Sequence, residues 1–129
     1  MKPINVAKRI IKMDIDKYIK NNDIDIVNTT AKVNVGKREI NFYSFATKYF
    51  SHHKPTVYPI YDYYVEVMLL HFKKTDNFCN FQKEDLKDYN HFIDVLKSFR
   101  TFYRLEKYNL KQIDKYLWQT GKEHFPRKY

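Results

Sequence analysis

The sequence predicts an all-α fold, a single compact domain of five to six helices, and three observations support this. The chain has 129 residues, which is enough for one hydrophobic core but too short for two. Its two glycines and four prolines leave little of the turn chemistry that a many-stranded sheet needs. Apolar residues recur at spacings near 3.6 along most of the chain. We therefore treat residues 1–129 as one helical domain.

Two helices are predicted before the first glycine. Between Val6 and Ile19 the apolar residues follow a helical spacing, and lysines occupy the other face. This first helix should end near Asn21 and Asn22. A short second helix is expected over Ile24–Lys32.

A turn and a third helix are predicted next. Gly36 can adopt the left-handed backbone that a turn often requires, so we expect a turn at Asn34–Arg38. The third helix is predicted over about Asn41–His52, because Pro55 cannot continue it. The segment Pro55–Tyr61 is then an extended connector.

The fourth helix should begin after Asp62. This aspartate stands before the apolar periodic run Val65–Phe72, where a helix N-cap belongs. Lys73–Asn80 is predicted to be a polar loop. The longest helix is expected over about Lys83–Tyr103, whose apolar residues alternate at intervals of three and four.

The last predicted helix opens at Asn109. Asn109 and Gln112 have the spacing of a capping box, and an apolar stripe begins at Leu110. Gly121 is expected to end this helix, because glycine is common immediately after a helix C-terminus.

The chain carries a strong positive charge, which narrows the classes of partner. With 24 Lys and Arg against 15 Asp and Glu, the formal net charge is +9. The excess lies at the two ends, since residues 1–55 hold 11 basic and 5 acidic side chains and residues 104–129 hold 7 and 3. Such a field favours polyanions, of which nucleic acid is the main class. Solubility alone is an equally simple explanation, because charge discriminates weakly.

Cysteine usage and hydropathy predict a cytoplasmic protein that has no membrane partner. Cys79 is the only cysteine, so an intrachain disulfide and a cysteine-based zinc site are excluded. No apolar run approaches the length that crosses a bilayer. His52 and His53 are adjacent, so on a helix they point about 100° apart and do not share a metal ion. We expect neither a metal site nor a cofactor.

One stretch of the chain combines basic groups with aromatic rings and contains no acid. Between Asn41 and Tyr61 there is no Asp or Glu. Basic groups in this stretch could hold phosphate, and rings could stack on an exposed base. The candidate basic groups are Lys54, His52 and His53, and the candidate rings include Tyr58 and Tyr61.

The segment Ser44–Val65 passes from a stripe of small residues, through an apolar pair, into an aspartate. The small residues are Ser44, Ala46 and Thr47, the apolar pair is Pro59 and Ile60, and the aspartate is Asp62. This pattern resembles the core of the helix-hairpin-helix DNA glycosylases. The segment Ile113–Lys122 is similar to the closing helix of some small members of that family. Together the two segments cover about a third of the chain.

The resemblance implies DNA as the partner and base excision as the activity. It implies that Asp62 is the catalytic carboxylate, which stabilises positive charge on the sugar as the base leaves. In the lyase branch of the family, a lysine on the preceding helix forms a Schiff base. Ser44 lies near that position, and Lys48, one helical turn later, is the candidate amine. Lys54, Lys115 and Lys122 are candidate contacts to backbone phosphate.

Each of these residues also has a structural interpretation. Asp62 can be a helix cap alone, Lys48 can be solvated, and the tyrosines and Trp118 can belong to the core. Two other functions therefore stay open. The first is a non-catalytic helical module that binds nucleic acid or protein. The second is a small interaction protein whose exposed tyrosines form an interface, including that of a homodimer.

Overall fold

Six α-helices contain most of the residues that the computed structural model describes, which are 15–35 and 38–127. The helices are α1 (Ile15–Lys20), α2 (Asp25–Ala31), α3 (Tyr43–His53), α4 (Tyr63–Asp76), α5 (Tyr89–Phe102) and α6 (Leu110–His124). A 3-10 helix at Lys83–Lys87 precedes α5. The predicted all-α class is therefore confirmed. None of the helices in the described ranges is long and apolar enough to span a bilayer.

The first three helices lie close to their predicted bounds. Most of the first predicted helix falls on residues 1–14, which lie outside the described residues. Within the described part α1 ends at Lys20, and Asn22 follows with a left-handed φ of 57°. The helices α2 and α3 agree with their predicted bounds to within two residues.

A small antiparallel hairpin joins α2 to α3. Its strands are β1 (Lys32–Val35) and β2 (Arg38–Asn41), and they pair so that Lys32 lies opposite Asn41. The strands were not predicted from the sequence, although the predicted turn falls between them. The two intervening residues, 36 and 37, lie outside the described residues. Their sequence is glycine followed by lysine, and a Gly-X pair between short alternating segments is a hairpin signal.

Side-chain caps explain where the last three helices begin. Asp62, Asp88 and Asn109 have extended backbones, and each side chain accepts a hydrogen bond from an N–H of the following turn. The Val65 N–H donates to Asp62 at 2.9 Å, and the Gln112 N–H donates to Asn109 at 2.9 Å. The predicted cap at Asp62 and the predicted capping box at Asn109 are both confirmed.

The predicted bounds of the fourth and fifth helices are wrong. The helix α4 continues to Asp76 and ends at Asn77, whose φ of 49° is left-handed. The helix predicted over Lys83–Tyr103 is broken at Asp88, where the backbone is extended. The apolar periodicity continues across Asp88, so periodicity alone did not reveal the break.

One apolar core extends from α2 to α6 and includes the connector between α3 and α4. The buried residues include Ile26, Phe50, Tyr58, Leu69, Leu96 and Leu117. Residues on both sides of the connector therefore contribute to the same core.

The helices α4 and α6 approach each other closely at Gly121. This glycine is buried inside α6, which continues to His124, so the prediction that it ends the helix is wrong. A Cβ atom at this position would lie 2.7 Å from the carbonyl oxygen of Tyr64 and 3.0 Å from Cγ of Met68. The glycine is required because the backbones of the two helices come together here.

We expect Gly121→Ala to lower the free energy of unfolding by roughly 1–3 kcal/mol, because the added methyl group meets the Tyr64 carbonyl. The higher helix propensity of alanine, about 1 kcal/mol, offsets part of this loss. Urea unfolding measures the change, and Gln119→Ala, at an exposed position of α6, is the control. A Gly121→Ala protein as stable as the wild type would show that the helices can separate at no cost.

Candidate functional site

The backbone before Asp62 lies outside helices and strands, and side chains from neighbouring helices hold it in place. The Tyr89 hydroxyl on α5 donates to the Pro59 carbonyl at 2.6 Å. The Ile60 N–H donates to Oδ2 of Asp114 on α6 at 2.7 Å. These bonds satisfy backbone groups that would otherwise be buried without partners.

The small residues of α3 hold the next residue, Tyr61. Its N–H donates to the Thr47 hydroxyl at 3.1 Å, and the Ser44 hydroxyl donates to its carbonyl at 3.1 Å. Ala46 and Thr47 are fully buried. The stripe of small residues therefore lets the connector pack directly against α3.

Asp62 is almost buried, with 9% of its surface exposed. Its Oδ1 accepts the capping hydrogen bond from Val65. Burial raises the pKa of this carboxyl above its usual value, while the Val65 and Tyr64 N–H groups and the charges of Lys48 and Arg127 oppose the rise. A carboxylate has about four lone-pair sites, so these backbone bonds leave capacity for another group.

Asp62 lines a cavity of about 340 Å³, which we call the Asp62 cavity. The other lining residues are Lys48 of α3, Ile60 of the connector, Val65 of α4, and Lys111, Asp114, Lys115 and Trp118 of α6. The volume is within the range of about 300–1,000 Å³ that is usual for small-molecule sites. Three lysines and two aspartates give the cavity a formal charge of +1.

The structure brings two of the four predicted lysines to this cavity. Lys48 and Lys115 are exposed and line it together with Asp62. Lys122 does not line the cavity, but its ammonium lies 4.9 Å from the ring centre of Trp118, which does. Trp118 is 41% exposed. An aromatic ring and three lysines therefore line the same cavity as the candidate carboxylate.

The two histidines lie near the cavity but do not line it. Both are exposed in the last turn of α3. His52 follows Lys48 by four residues, so the two side chains share one face of the helix. The His53 ring lies 4.7 Å from the ring of Tyr49. His52 therefore lies on the face of α3 that carries Lys48, whereas His53 packs against Tyr49.

Tyr58 and Tyr61 belong to the core. They are 0% and 5% exposed, and burial raises the pKa of Tyr58 to about 12. The Tyr58 hydroxyl donates to the Asp23 carbonyl at 2.9 Å, and the Tyr61 hydroxyl donates to Oε1 of Glu66 at 2.7 Å. The prediction that these rings stack on a base is wrong, because neither ring offers a face to solvent.

Lys54 has a structural contact instead of the predicted contact to phosphate. Its ammonium donates to the Ile19 carbonyl at 3.4 Å and to the side chain of Asn22. These bonds tie the end of α3 to the turn after α1. Lys54 is absent from the residues that line the Asp62 cavity.

Asp114 is the main residue of the site that was not predicted from the sequence. It is 2% exposed, and burial raises its pKa to about 6, although the Ile60 N–H and Lys111 oppose the rise. Its Oδ1 lies 3.7 Å from the ammonium of Lys111. Asp114 stands four residues after Leu110 and three before Leu117, so the sequence signal was a carboxylate on the apolar face of a helix.

A second cavity, of about 510 Å³, lies on the opposite face of α6. Its walls are mainly aromatic and aliphatic: Phe72, Phe99, Tyr103, Leu105, Tyr108, Gln112, Ile113 and Tyr116. The residues that line it include no lysine, aspartate or glutamate. The Asp62 cavity is therefore the candidate site for acid–base or covalent chemistry.

Comparisons with other proteins identify relatives of this chain. Residues 1–57 match a family described as HI_0787_N, an N-terminal domain. A protein of Haemophilus influenzae, described as an uncharacterized protein, is 50% identical over 123 residues, which are 95% of this chain and 58% of the relative. The chain thus spans less than two thirds of that relative. No solved structure matches the chain. These descriptions name no activity.

Proposed function

We propose that this chain binds DNA and removes a base from it, with Asp62 as the catalytic carboxylate and Lys48 as the amine. The supporting observation is that both side chains line one cavity, where the charge of Lys48 acts on the Asp62 carboxyl. The resemblance to helix-hairpin-helix DNA glycosylases implies Asp62, and Lys48 lies one helical turn after Ser44, which stands where the lyase branch has its lysine. We place this activity in the cytoplasm.

The chemistry follows from the charge that develops when a base leaves its sugar. The sugar carbon that held the base becomes cationic, and the Asp62 carboxylate stabilises that charge. The Lys48 amine attacks this carbon as its bond to the base breaks. The base takes the electron pair of that bond and a proton from solvent. The neutral amine gives up a proton to the Asp62 carboxylate, which passes it to the ring oxygen in the next step. Opening of the sugar ring then yields a Schiff base.

Trp118 is the ring that we assign to the extruded base. It lines the cavity and is 41% exposed, unlike Tyr58 and Tyr61. Stacking of one base on an aromatic side chain contributes about 1–3 kcal/mol. Lys115 and Lys122 flank the ring and are proposed contacts for phosphate on either side of the flipped nucleotide.

The alternative is a module that binds nucleic acid without excising a base. Two observations favour it: Asp62 already caps α4, and Tyr58 and Tyr61 are buried. Fewer side chains are therefore available to contact an extruded base than the sequence predicts. Under this alternative the lysines bind DNA, and the affinity falls steeply with salt.

We expect Asp62→Asn to reduce base release by about 100-fold or more, because asparagine keeps the helix cap but removes the charge. The assay measures base release from oligonucleotides that contain uracil, 8-oxoguanine or alkylated purines. Asp88→Asn is the matched control, since Asp88 caps α5 in the same way and does not line the cavity. Release that is indifferent to Asp62→Asn would remove the mechanism. If the wild type releases no base but binds DNA with an affinity that falls with salt, the non-catalytic module is the correct function.

We expect borohydride to trap a covalent complex between the wild-type protein and the oligonucleotide that it processes, because reduction fixes a Schiff base. Lys48→Gln should abolish the trapped complex. Lys97→Gln, at an exposed position of α5, should leave it unchanged. Denaturing electrophoresis and mass spectrometry of the modified peptide measure both outcomes. A complex that persists in Lys48→Gln would assign the amine to another lysine.

Binding can be followed through Trp118, the only tryptophan of the chain. We expect an oligonucleotide to quench its fluorescence, and Trp118→Ala to weaken binding by about tenfold, as for loss of one stacked base. Tyr116→Ala is the control, because Tyr116 is also exposed on α6 but lines the other cavity. An equal loss of affinity in both variants would show that the contact is not specific to the Asp62 cavity.

A further inference from the structure

Asp114 is a charged side chain in a place where a neutral one would suffice. Its Oδ2 accepts the Ile60 N–H at 2.7 Å, a bond that an asparagine oxygen could also accept. Only 2% of its surface is exposed, and a buried carboxylate is costly unless it is paired. Lys111, at 3.7 Å, compensates for part of this cost. The negative charge itself therefore requires an explanation beyond the hydrogen bond.

The position of Asp114 connects it to the candidate carboxylate. Ile60 stands two residues before Asp62, and both aspartates line the same cavity. The charge of Asp62 raises the pKa of Asp114, and this interaction between two carboxylates acts in both directions. Only Tyr61 separates Ile60 from Asp62 in the sequence. A shift of the Ile60 backbone would therefore move Asp62 relative to Lys48.

We propose that Asp114 is a positioning residue of this site, which fixes Asp62 through the Ile60 backbone and whose negative charge limits the affinity of the cavity for an anionic strand. This inference rests on the function proposed above. It assigns two separable roles to one side chain: the oxygen holds the connector, and the charge opposes the lysines.

The charges that line the cavity determine whether Asp114 raises or lowers its affinity for an anionic strand. The titratable and charged groups that face Asp114 are Lys48 from α3, Asp62 from the connector, Tyr89 from α5, and Lys111 and Lys115 from its own helix. Burial raises the pKa of Tyr89 far above its usual value, so Tyr89 is neutral. The formal charge of the cavity is +1 when Asp114 is ionised and +2 when it is protonated. Protonation of Asp114 therefore strengthens attraction for phosphate.

Two variants separate the roles. Asp114→Asn keeps an oxygen for the Ile60 N–H and removes the charge, whereas Asp114→Ala removes both. The carboxyl carbon resonance of Asp62, followed by NMR against pH, is the first readout. In the wild type we expect a second inflection near pH 6, where Asp114 titrates. Asp114→Asn should lose this inflection and otherwise keep the wild-type resonance, and Asp114→Ala should displace the resonance at every pH.

The first readout can overturn the positioning role without any assay of activity. An Asp62 resonance that is the same in all three proteins would show that Asp114 does not position Asp62. If Asp114→Ala fails to fold, Asp114→Leu replaces it, because leucine fills the buried space but accepts no hydrogen bond. The lost inflection in Asp114→Asn tests separately whether the two carboxylates interact. Rescue of the wild-type resonance by asparagine, and not by alanine, is a result that a general loss of stability would not produce.

The second readout is affinity for a single-stranded oligonucleotide at low salt. At pH 7.5 we expect Asp114→Asn to bind roughly three- to tenfold more tightly than the wild type. We expect the ratio of the two affinities, measured at the same pH, to fall towards one near pH 5, because the histidines gain charge in both proteins alike. Asp88→Asn, which removes a negative charge away from the cavity, should change affinity less. Equal affinity of Asp114→Asn and wild type would overturn the role of the charge. Absence of binding by all of these proteins would overturn the proposed function and the role of the Asp114 charge. The Asp62 resonance would still decide whether Asp114 positions Asp62.

Discussion

The buried backbone of Pro59–Asp62 is the constraint on which the rest of the site depends. These residues belong to no helix or strand, so their polar groups need side-chain partners. Partners come from three helices: Thr47 and Ser44 on α3, Tyr89 on α5 and Asp114 on α6. The Asp62 cavity lies beside this connector and is lined by two of those helices and by α4. The geometry of the candidate site is therefore a consequence of how the connector is held.

Asp62 combines a structural role with the proposed chemical one. Its bond to Val65 starts α4, and this bond also orients the carboxylate at the wall of the cavity. A carboxylate that is hydrogen-bonded to a helix N-terminus and surrounded by packed side chains is already oriented. It therefore needs little reorganisation before it acts on a developing charge. The cap is thus compatible with catalysis, and it gives the carboxylate a fixed direction.

Local features of the sequence predicted much of this structure, and tertiary contacts account for the rest. Apolar periodicity located the helices, and the capping pattern located Asp62 and Asn109. Periodicity did not reveal the break at Asp88, because the apolar spacing continues across it. The resemblance implied a role for Asp62, and Lys48 was a candidate because it lies one helical turn after the position of the family's lysine. The resemblance could not predict Asp114, whose partner Ile60 is 54 residues away, and composition could not distinguish buried tyrosines from exposed ones.

The hydrogen bonds of the connector bear on the match of residues 1–57 to an N-terminal domain. A fragment that ended at residue 57 would lack Tyr61, the partner of the Ser44 and Thr47 side chains. It would also lack Tyr58, whose ring lies 5.2 Å from the ring of the fully buried Phe50. Such a fragment would expose an apolar helix face to water. The segment that the family model matches is therefore shorter than the segment that packs around one core.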